Sequence, residues 1–276
     1  MRTPTVSILY PLSPYMKKQT NTKEKRQLIQ RIRVHTVKVV RDAKAVVNPL
    51  SHITSALTQF QISSILLDDD DSDLTLTYHE SLKTDPKLLR WSLKIFEENM
   101  GDLYKLSSWG LNLKHKRREL LHPESRYLFI SKTKSRKNID GMTSKAIPDA
   151  SASEFVSDKT SSEVDTPEVV AYSMFRFDMD EETDEPVLYV YELQVHSHFR
   201  RLGLGRRLMG ILESIALKTH MKKVMLTVFT FNTSAMSFYR NKMNYDIDPS
   251  SPSNFEQQQQ QTVTTDYEIL SKVIVR

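Results

Sequence analysis

From residue 127 onward the sequence predicts a mixed α/β domain, a central sheet flanked by helices. Three observations carry that prediction. Short β-branched and aromatic runs alternate with amphipathic stretches in the order strand, strand, strand, helix, strand, helix, strand. An acidic turn, 180–186, lies between two β-rich runs and reads as a hairpin. A basic, glycine-bearing turn, 200–205, stands where a strand gives way to a helix.

The elements follow in order. Residues 1–21 carry Pro4, Pro11 and Pro14 without any period and predict a poorly ordered tail, followed by one domain over 22–276. From 22 to about 48 apolar residues recur at helical spacing (Leu28, Ile32, Val39, Ala43, Val46), with Thr36 the one polar interruption; Asn48 and Pro49 stop the helix. An acidic loop at 68–73 precedes the alternating run 74–78, a short strand. Helical period resumes over 85–106 through Leu89, Ile95, Phe96 and Leu103, and 127–130 suits a central strand. Residues 131–167 turn to Lys, Ser, Thr, Asp and Glu and predict a flexible insertion. Strands follow at 169–177 and 187–195, a helix at 205–219, a strand at 224–229, a helix capped by Asn232 and running to 241, and a strand at 267–275. A second, glutamine-rich insertion occupies about 254–264.

Composition narrows the function classes. With no cysteine among 276 residues, disulfides, thiolate nucleophiles and Cys-based zinc sites are excluded. His196, His198 and His220 lack the carboxylates and third ligand that a zinc site needs, so no metal is expected. No apolar run is long enough to span a bilayer, and no membrane partner is expected. The net charge of +5 is unevenly placed: 17–44 is strongly basic, whereas 68–73 and 178–185 are acidic. The basic segment reads either as a solvated amphipathic helix or as a contact for nucleic acid.

The turn 200–205 (Arg-Arg-Leu-Gly-Leu-Gly) has the physics of a pyrophosphate site. Glycines let main-chain N–H groups approach the oxygens, and a helix N-terminus adds partial positive charge. Arg200, Arg201, Arg206 and Arg207 add formal charge. A P-loop is excluded because no Gly-Lys-Ser/Thr follows, and a dinucleotide fingerprint fits poorly for want of a third glycine and a following acidic residue. The bland alternative is a glycine turn with solvated arginines.

On the preceding strand, period two places Tyr189, Tyr191, Leu193 and Val195 on one face and Leu188, Val190, Glu192 and Gln194 on the other. Glu192 interrupts an apolar run, where desolvation would raise its pKa toward that of a useful general base. The alternative is an edge-exposed glutamate between core tyrosines.

The turn 200–205, with the strand 224–229 and the Asn232 to Tyr239 helix after it, resembles the acetyl-CoA loop of the GNAT superfamily of N-acetyltransferases. Segments 189–194 (Tyr-Val-Tyr-Glu-Leu-Gln), 221–229, 246–253 and 266–270, with Asn99, Met100, Tyr104 and 108–110 (Ser-Trp-Gly), resemble the histone-specific N-terminal acetyltransferase D (NatD) family within it. The resemblance covers about 25–130 and 168–273. It implies a GNAT fold, a twisted mixed sheet flanked by helices with an added long N-terminal helix, and acetyl-CoA as cosubstrate. It implies that Leu193, Gln194, Val195, Arg200, Arg201, Leu202, Gly203, Leu204, Gly205, Arg206, Asn232 and Tyr239 bind the cofactor. Glu192 becomes the base and Tyr191 an orienting group or proton donor. Trp109, Asp178, Asp180, Tyr189, Tyr191 and Tyr267 would line the substrate slot, the aspartates facing an arginine. Asp180 stands where the family has a glutamate. The implied activity is acetylation of the N-terminal amine of histone H4 and histone 2A by a monomer in cytoplasm and nucleus, with the basic segment as a ribosome contact. Two alternatives stay open: a lysine-side-chain acetyltransferase of the same fold, and a non-enzymatic chromatin or ribosome tether.

Overall fold

The computed structural model describes residues 22–52, 73–133, 167–254 and 265–275. The expected tail at 1–21, most of the acidic loop, the body of the 131–167 insertion and the glutamine-rich stretch lie outside the described residues. The chain forms α1 (Thr22–Lys44), β1 (Asp73–His79), α2 (Pro86–Leu106), α3 (Leu113–Leu120), β2 (Arg126–Thr133), β3 (Glu168–Met179), β4 (Pro186–Val195), α4 (Leu204–Lys218), β5 (Lys223–Phe229), α5 (Thr233–Ser237), β6 (Asp246–Ile247) and β7 (Tyr267–Val273). A π-helical turn, Phe238–Lys242, continues α5, so the helix expected to run to 241 changes its winding partway.

Local chemistry explains the boundaries. Asp85 accepts hydrogen bonds from the Lys87 and Leu88 amides and caps α2, with Pro86 at its first position. Asn112 caps α3 through the His115 amide, a helix the apolar pattern does not announce because Leu113 and Leu120 are nearly its whole hydrophobic content. Asn232 accepts from the Ala235 amide, as its sequence position suggests.

The strands form one sheet in the order β1-β2-β3-β4-β5-β7-β6. All neighbours are antiparallel except β4 and β5. One face is covered by α1 and α4, whose Val40, Ala43, Leu208, Leu212 and Ile215 pack with Phe175, Phe177, Leu188 and Val190. The other is covered by α2 and α3, whose Leu89, Ile95 and Leu120 pack with Tyr127, Phe129, Tyr172 and Met174. This is the GNAT fold, a mixed sheet between helices with a helix added at the N-terminal side.

Two departures from a regular sheet create the site. The parallel pairing of β4 with β5 runs only from Val187↔Lys223 to Val190↔Leu226, so the two strands part company beyond Val190. In the β3–β4 ladder, Phe175 pairs with Val190 but Met174 pairs with Glu192, which leaves Tyr191 as an extra residue. A bulge of this kind reverses the alternation beyond it. The strict period-two reading of β4 is therefore corrected: Leu193 and Val195 join Leu188 and Val190 on the α1/α4 face. Tyr191 packs with the α2/α3 cluster, and Glu192 reaches Lys116 on that same side.

Candidate functional site

The fork between β4 and β5 is bordered at its mouth by residues 200–205. Arg201 and Gly203 both adopt left-handed backbone, with φ of 67° and 81°. Gly203 is the N-cap residue of the 15-residue α4. Backbone that alternates hand in this way forms a concave nest of amides, and here it opens on the positive end of a helix dipole. Gly205 serves differently: it lies within the first turn of α4, where an added Cβ would meet the Phe238 ring at 3.5 Å and Leu193 at 3.9 Å. Its small size brings α4 close to β4 rather than supplying a special backbone angle. Arg207 stands near Gly203, and partial burial lowers its pKa.

A chain of hydrogen bonds runs from this turn into the fork. Arg200 donates through Nη2 to Asn99 Oδ1. Asn99 Nδ2 donates to Gln194 Oε1 (2.9 Å) and to the Val195 carbonyl (3.2 Å). Gln194 Nε2 in turn donates to Glu192 Oε2 at 2.8 Å. The other carboxylate oxygen, Oε1, accepts from Lys116 Nζ at 2.6 Å, and Lys116 also reaches Glu119 Oε1 at 2.6 Å. Glu192 is 5% exposed and so is Lys116. Burial pushes the Glu192 carboxyl above its ordinary pKa, while the Lys116 ammonium and the Gln194 amide pull against that rise.

The residues expected in the slot fall on the same side. Tyr189 and Tyr191 rings lie 5.1 Å apart, and the Tyr189 hydroxyl is hydrogen-bonded to Thr227 Oγ1 across the fork. Burial pushes the Tyr189 hydroxyl up to about 12. The Arg176 guanidinium sits 4.2 Å from the centre of the Tyr191 ring, anchored by the Ser125 hydroxyl and the Glu119 carbonyl. Trp109 is 48% exposed and lies 5.1 Å from Phe229 and 5.0 Å from Tyr267, ring centre to ring centre. With Tyr104 and Phe231 these rings form an aromatic rim where β5 and β7 meet the α2–α3 connection. Asp266 fastens that rim by accepting the Ser108 amide. Tyr239 is buried, with its hydroxyl pKa pushed up by desolvation and by the Glu192 charge.

One expected contact takes a different form. Asp180 does not present a free carboxylate to a substrate arginine. It is 7% exposed, pairs with Lys223 Nζ at 2.6 Å, and accepts the Glu182 amide and the Thr183 hydroxyl. A carboxylate with this many partners is committed to its own turn. Asp178 is half-buried and accepts the Met179 amide through Oδ1. The His196 and His198 rings meet edge to face with centres 5.1 Å apart, and among the described residues no acidic or histidine cluster could hold a metal ion.

Asn99, Lys116, Glu119 and Arg176 complete the site; of these the sequence reading named only Asn99, as part of the substrate-side region of the resemblance. A signal existed for Lys116: it falls three residues after Leu113 and four before Leu120, on the core-facing stripe of α3. A lysine in that stripe must bury its charge, and a buried ammonium requires an acidic partner.

Residues 140–245 match the family model described as "Acetyltransferase (GNAT) family". Among solved structures, NAA60 of Arabidopsis thaliana in complex with a bisubstrate analogue is 10% identical, covers 73% of this chain and 100% of its own, and superposes with a TM-score of 0.43. The NatC complex bound to Gag peptide and CoA is 12% identical over 72% of this chain and 99% of the other, with a TM-score of 0.42. An N-acetyltransferase from Thermoplasma acidophilum, PaiA, in complex with coenzyme A is 11% identical over 72% and 99%, also at 0.42. These distant likenesses assign no substrate to this chain.

Proposed function

We propose that this chain is an acetyl-CoA-dependent N-terminal acetyltransferase, with the nascent or finished N-terminal tails of histone H4 and histone 2A as its substrates. The observation that carries the transferase reading is the fork. Beyond Val190 the edge of β4 is released from β5, beside the left-handed turn at Gly203, and the bulge at Tyr191 turns Glu192 to the α2/α3 face, where Gln194 and Asn99 link it to Arg200. The pyrophosphate of the cosubstrate fits the amide nest at 201–203, and its extended arm fits along the unpaired edge formed by Leu193, Gln194 and Val195.

The reaction needs few parts. The α-amine, with a pKa of about 7.7–8.0, loses its proton to Glu192, directly or through one water. Its lone pair attacks the thioester carbonyl carbon, a main-chain N–H or hydroxyl steadies the oxyanion, and the carbon–sulfur bond breaks. The departing thiolate then takes up the second proton, which the acylated nitrogen gives up as it becomes an amide. Tyr191 and Tyr239 hold theirs through the neutral range, since burial raises both hydroxyls.

The histone reading rests on the NatD-like segments and on spacing. Asp178 lies four strand positions from Met174, the register partner of Glu192, hence ~13 Å along the sheet. An extended peptide with its amine at Glu192 advances ~3.3 Å per residue, so a long cationic side chain at its third position would reach Asp178. A start of Ser-Gly-Arg-Gly satisfies that spacing, and small first residues suit a slot crowded by Trp109, Tyr189 and Tyr267. Action in cytoplasm and nucleus, with α1 touching the ribosome, belongs to the same proposal.

Incubation with acetyl-CoA and a Ser-Gly-Arg-Gly-Lys peptide, free or blocked at its amine, tests it by mass spectrometry. The free peptide should gain one acetyl group at its N-terminus and the blocked one none. Acetylation of the blocked peptide at lysine would replace this reading with a side-chain acetyltransferase.

A further inference from the structure

We infer that Lys116 is the positioning residue of the reaction, its ammonium shared between Glu192 and Glu119 so that the Glu192 carboxylate is held charged and fixed in place on the α2/α3 side of the sheet. The inference rests on Glu192 being the base, and deepens that reading.

The geometry is specific. Lys116 Nζ lies 2.6 Å from Glu192 Oε1 and 2.6 Å from Glu119 Oε1. It also stands 4.6 Å from the centre of the Phe96 ring and 5.6 Å from that of Tyr104. Two carboxylates and two ring faces thus surround one buried cation, and the Lys116 pKa is pushed up despite its desolvation. Other titratable groups face Glu192 from each neighbouring element: Tyr104 from α2, Tyr127 from β2, Tyr172 from β3 and Tyr239 from the π-helical turn. Burial pushes all four hydroxyls up, so they stay neutral while Glu192 titrates. Glu119 adds a second negative charge that opposes ionisation of Glu192. Lys116 is thus the cation that offsets both burial and Glu119.

The two neighbours of Glu192 should act with opposite sign. A buried carboxyl that loses an adjoining cation protonates at higher pH, and a protonated carboxyl cannot accept a proton from the amine. One that loses an adjoining anion protonates at lower pH. A merely structural role for the lysine would lower the rate by one factor at every pH.

The experiment measures kcat/KM against pH with acetyl-CoA and the Ser-Gly-Arg-Gly-Lys peptide, for the parent, Lys116→Met, Glu119→Gln and Glu192→Gln. Calorimetric uptake of CoA checks that each variant is folded. The acid limb of the parent profile should move up by about 1–3 units in Lys116→Met. It should move down in Glu119→Gln, and in Glu192→Gln only the limb of the substrate amine, at about 7.7–8.0, should remain. An acid limb that keeps its place in Lys116→Met, with rates reduced equally at all pH, overturns the role of Lys116. Should Lys116→Met take up no CoA, Glu119→Gln decides alone: a downward shift supports the shared ammonium and an unmoved limb refutes it. An inactive parent, or Glu192→Gln with the parent's acid limb, instead removes the base assignment on which the inference rests.

Discussion

Asp178 and Asp180 stand two residues apart, and the fold surrounds them differently. Asp180 is enclosed by Lys223, Glu182 and Thr183, so its charge is spent inside the hairpin turn. Asp178 accepts its neighbour's amide through Oδ1, and its charge is felt by Tyr191. A substrate arginine would therefore find Asp178. Replacing it by asparagine removes a charge-assisted bond of about 1.5–3 kcal/mol, so KM for an arginine-bearing peptide should rise at least about tenfold. KM for the same peptide with alanine at the third position should stay within about twofold. Equal effects on both peptides, in steady-state kinetics, would discard the contact. Here the sequence showed the acidic pair but not which member was already engaged, because Lys223 lies more than forty positions downstream.

At the scale of elements, the turn before α4 separates the work of two glycines that look alike in sequence. Gly203 has φ of 81°, a region where an L-residue is strained by roughly 1–2 kcal/mol, although a Cβ there would have room. Gly205 has ordinary helical backbone and faces Phe238 at a normal contact distance. Gly203→Ala should weaken CoA binding roughly tenfold by calorimetry, since the strain is relieved by tilting the amides of the nest. Gly205→Ala should change it by less than about threefold. If both variants bound CoA like the parent, the turn would not be the anion site. The bulge in β4 belongs to this scale too. Nothing in Tyr-Val-Tyr-Glu-Leu-Gln marks where an extra residue enters, because every position in the run suits a strand on either face.

Across the whole molecule, buried ions and one long helix tie distant segments together. Lys223 on β5 holds Asp180 of the β3–β4 turn at 2.6 Å and Asp248 after β6 at 2.8 Å. The Lys223 ammonium and the Ser250 hydroxyl bring the Asp248 pKa down to about 2, and Asp180 is lowered as well. A depressed carboxyl contributes stability above its unfolded pKa of about 3.9 and loses it as pH falls toward the folded value. Thermal stability should accordingly decline between about pH 4 and pH 2. Lys223→Met, which leaves two buried carboxylates facing one another, should cost about 3–5 kcal/mol in denaturant unfolding at pH 7. A smaller loss at pH 7 than at pH 3 would contradict the pairing. The helix α1 braces the sheet from the other end: Arg126 Nη2 donates to the Lys44 carbonyl, Lys44 pairs with Glu124, and the Thr36 hydroxyl donates to the Asp184 carbonyl at 2.6 Å. Thr36→Val should destabilise by about 1–3 kcal/mol in the same assay, because it leaves a half-buried carbonyl without its hydroxyl donor. An unchanged unfolding midpoint would show that water replaces the hydroxyl.

Local pattern in the chain was enough to predict the mixed α/β class, most of the element order, the caps at Asn232 and the basic turn at 200–205. These are short-range matters: periodicity, capping and turn chemistry act over a few residues, so neighbouring letters contain them. Thr36 shows the limit of that range, since its polarity broke the stripe of α1 visibly while its acceptor lay nearly 150 positions away. Which face Glu192 points to, what charges surround it and which aspartate pairs with Lys223 were decided only when the strands paired. The register shift at Tyr191 and the arrival of Lys116 from α3 are consequences of packing between segments remote in sequence, where burial makes one charge's state depend on another's position.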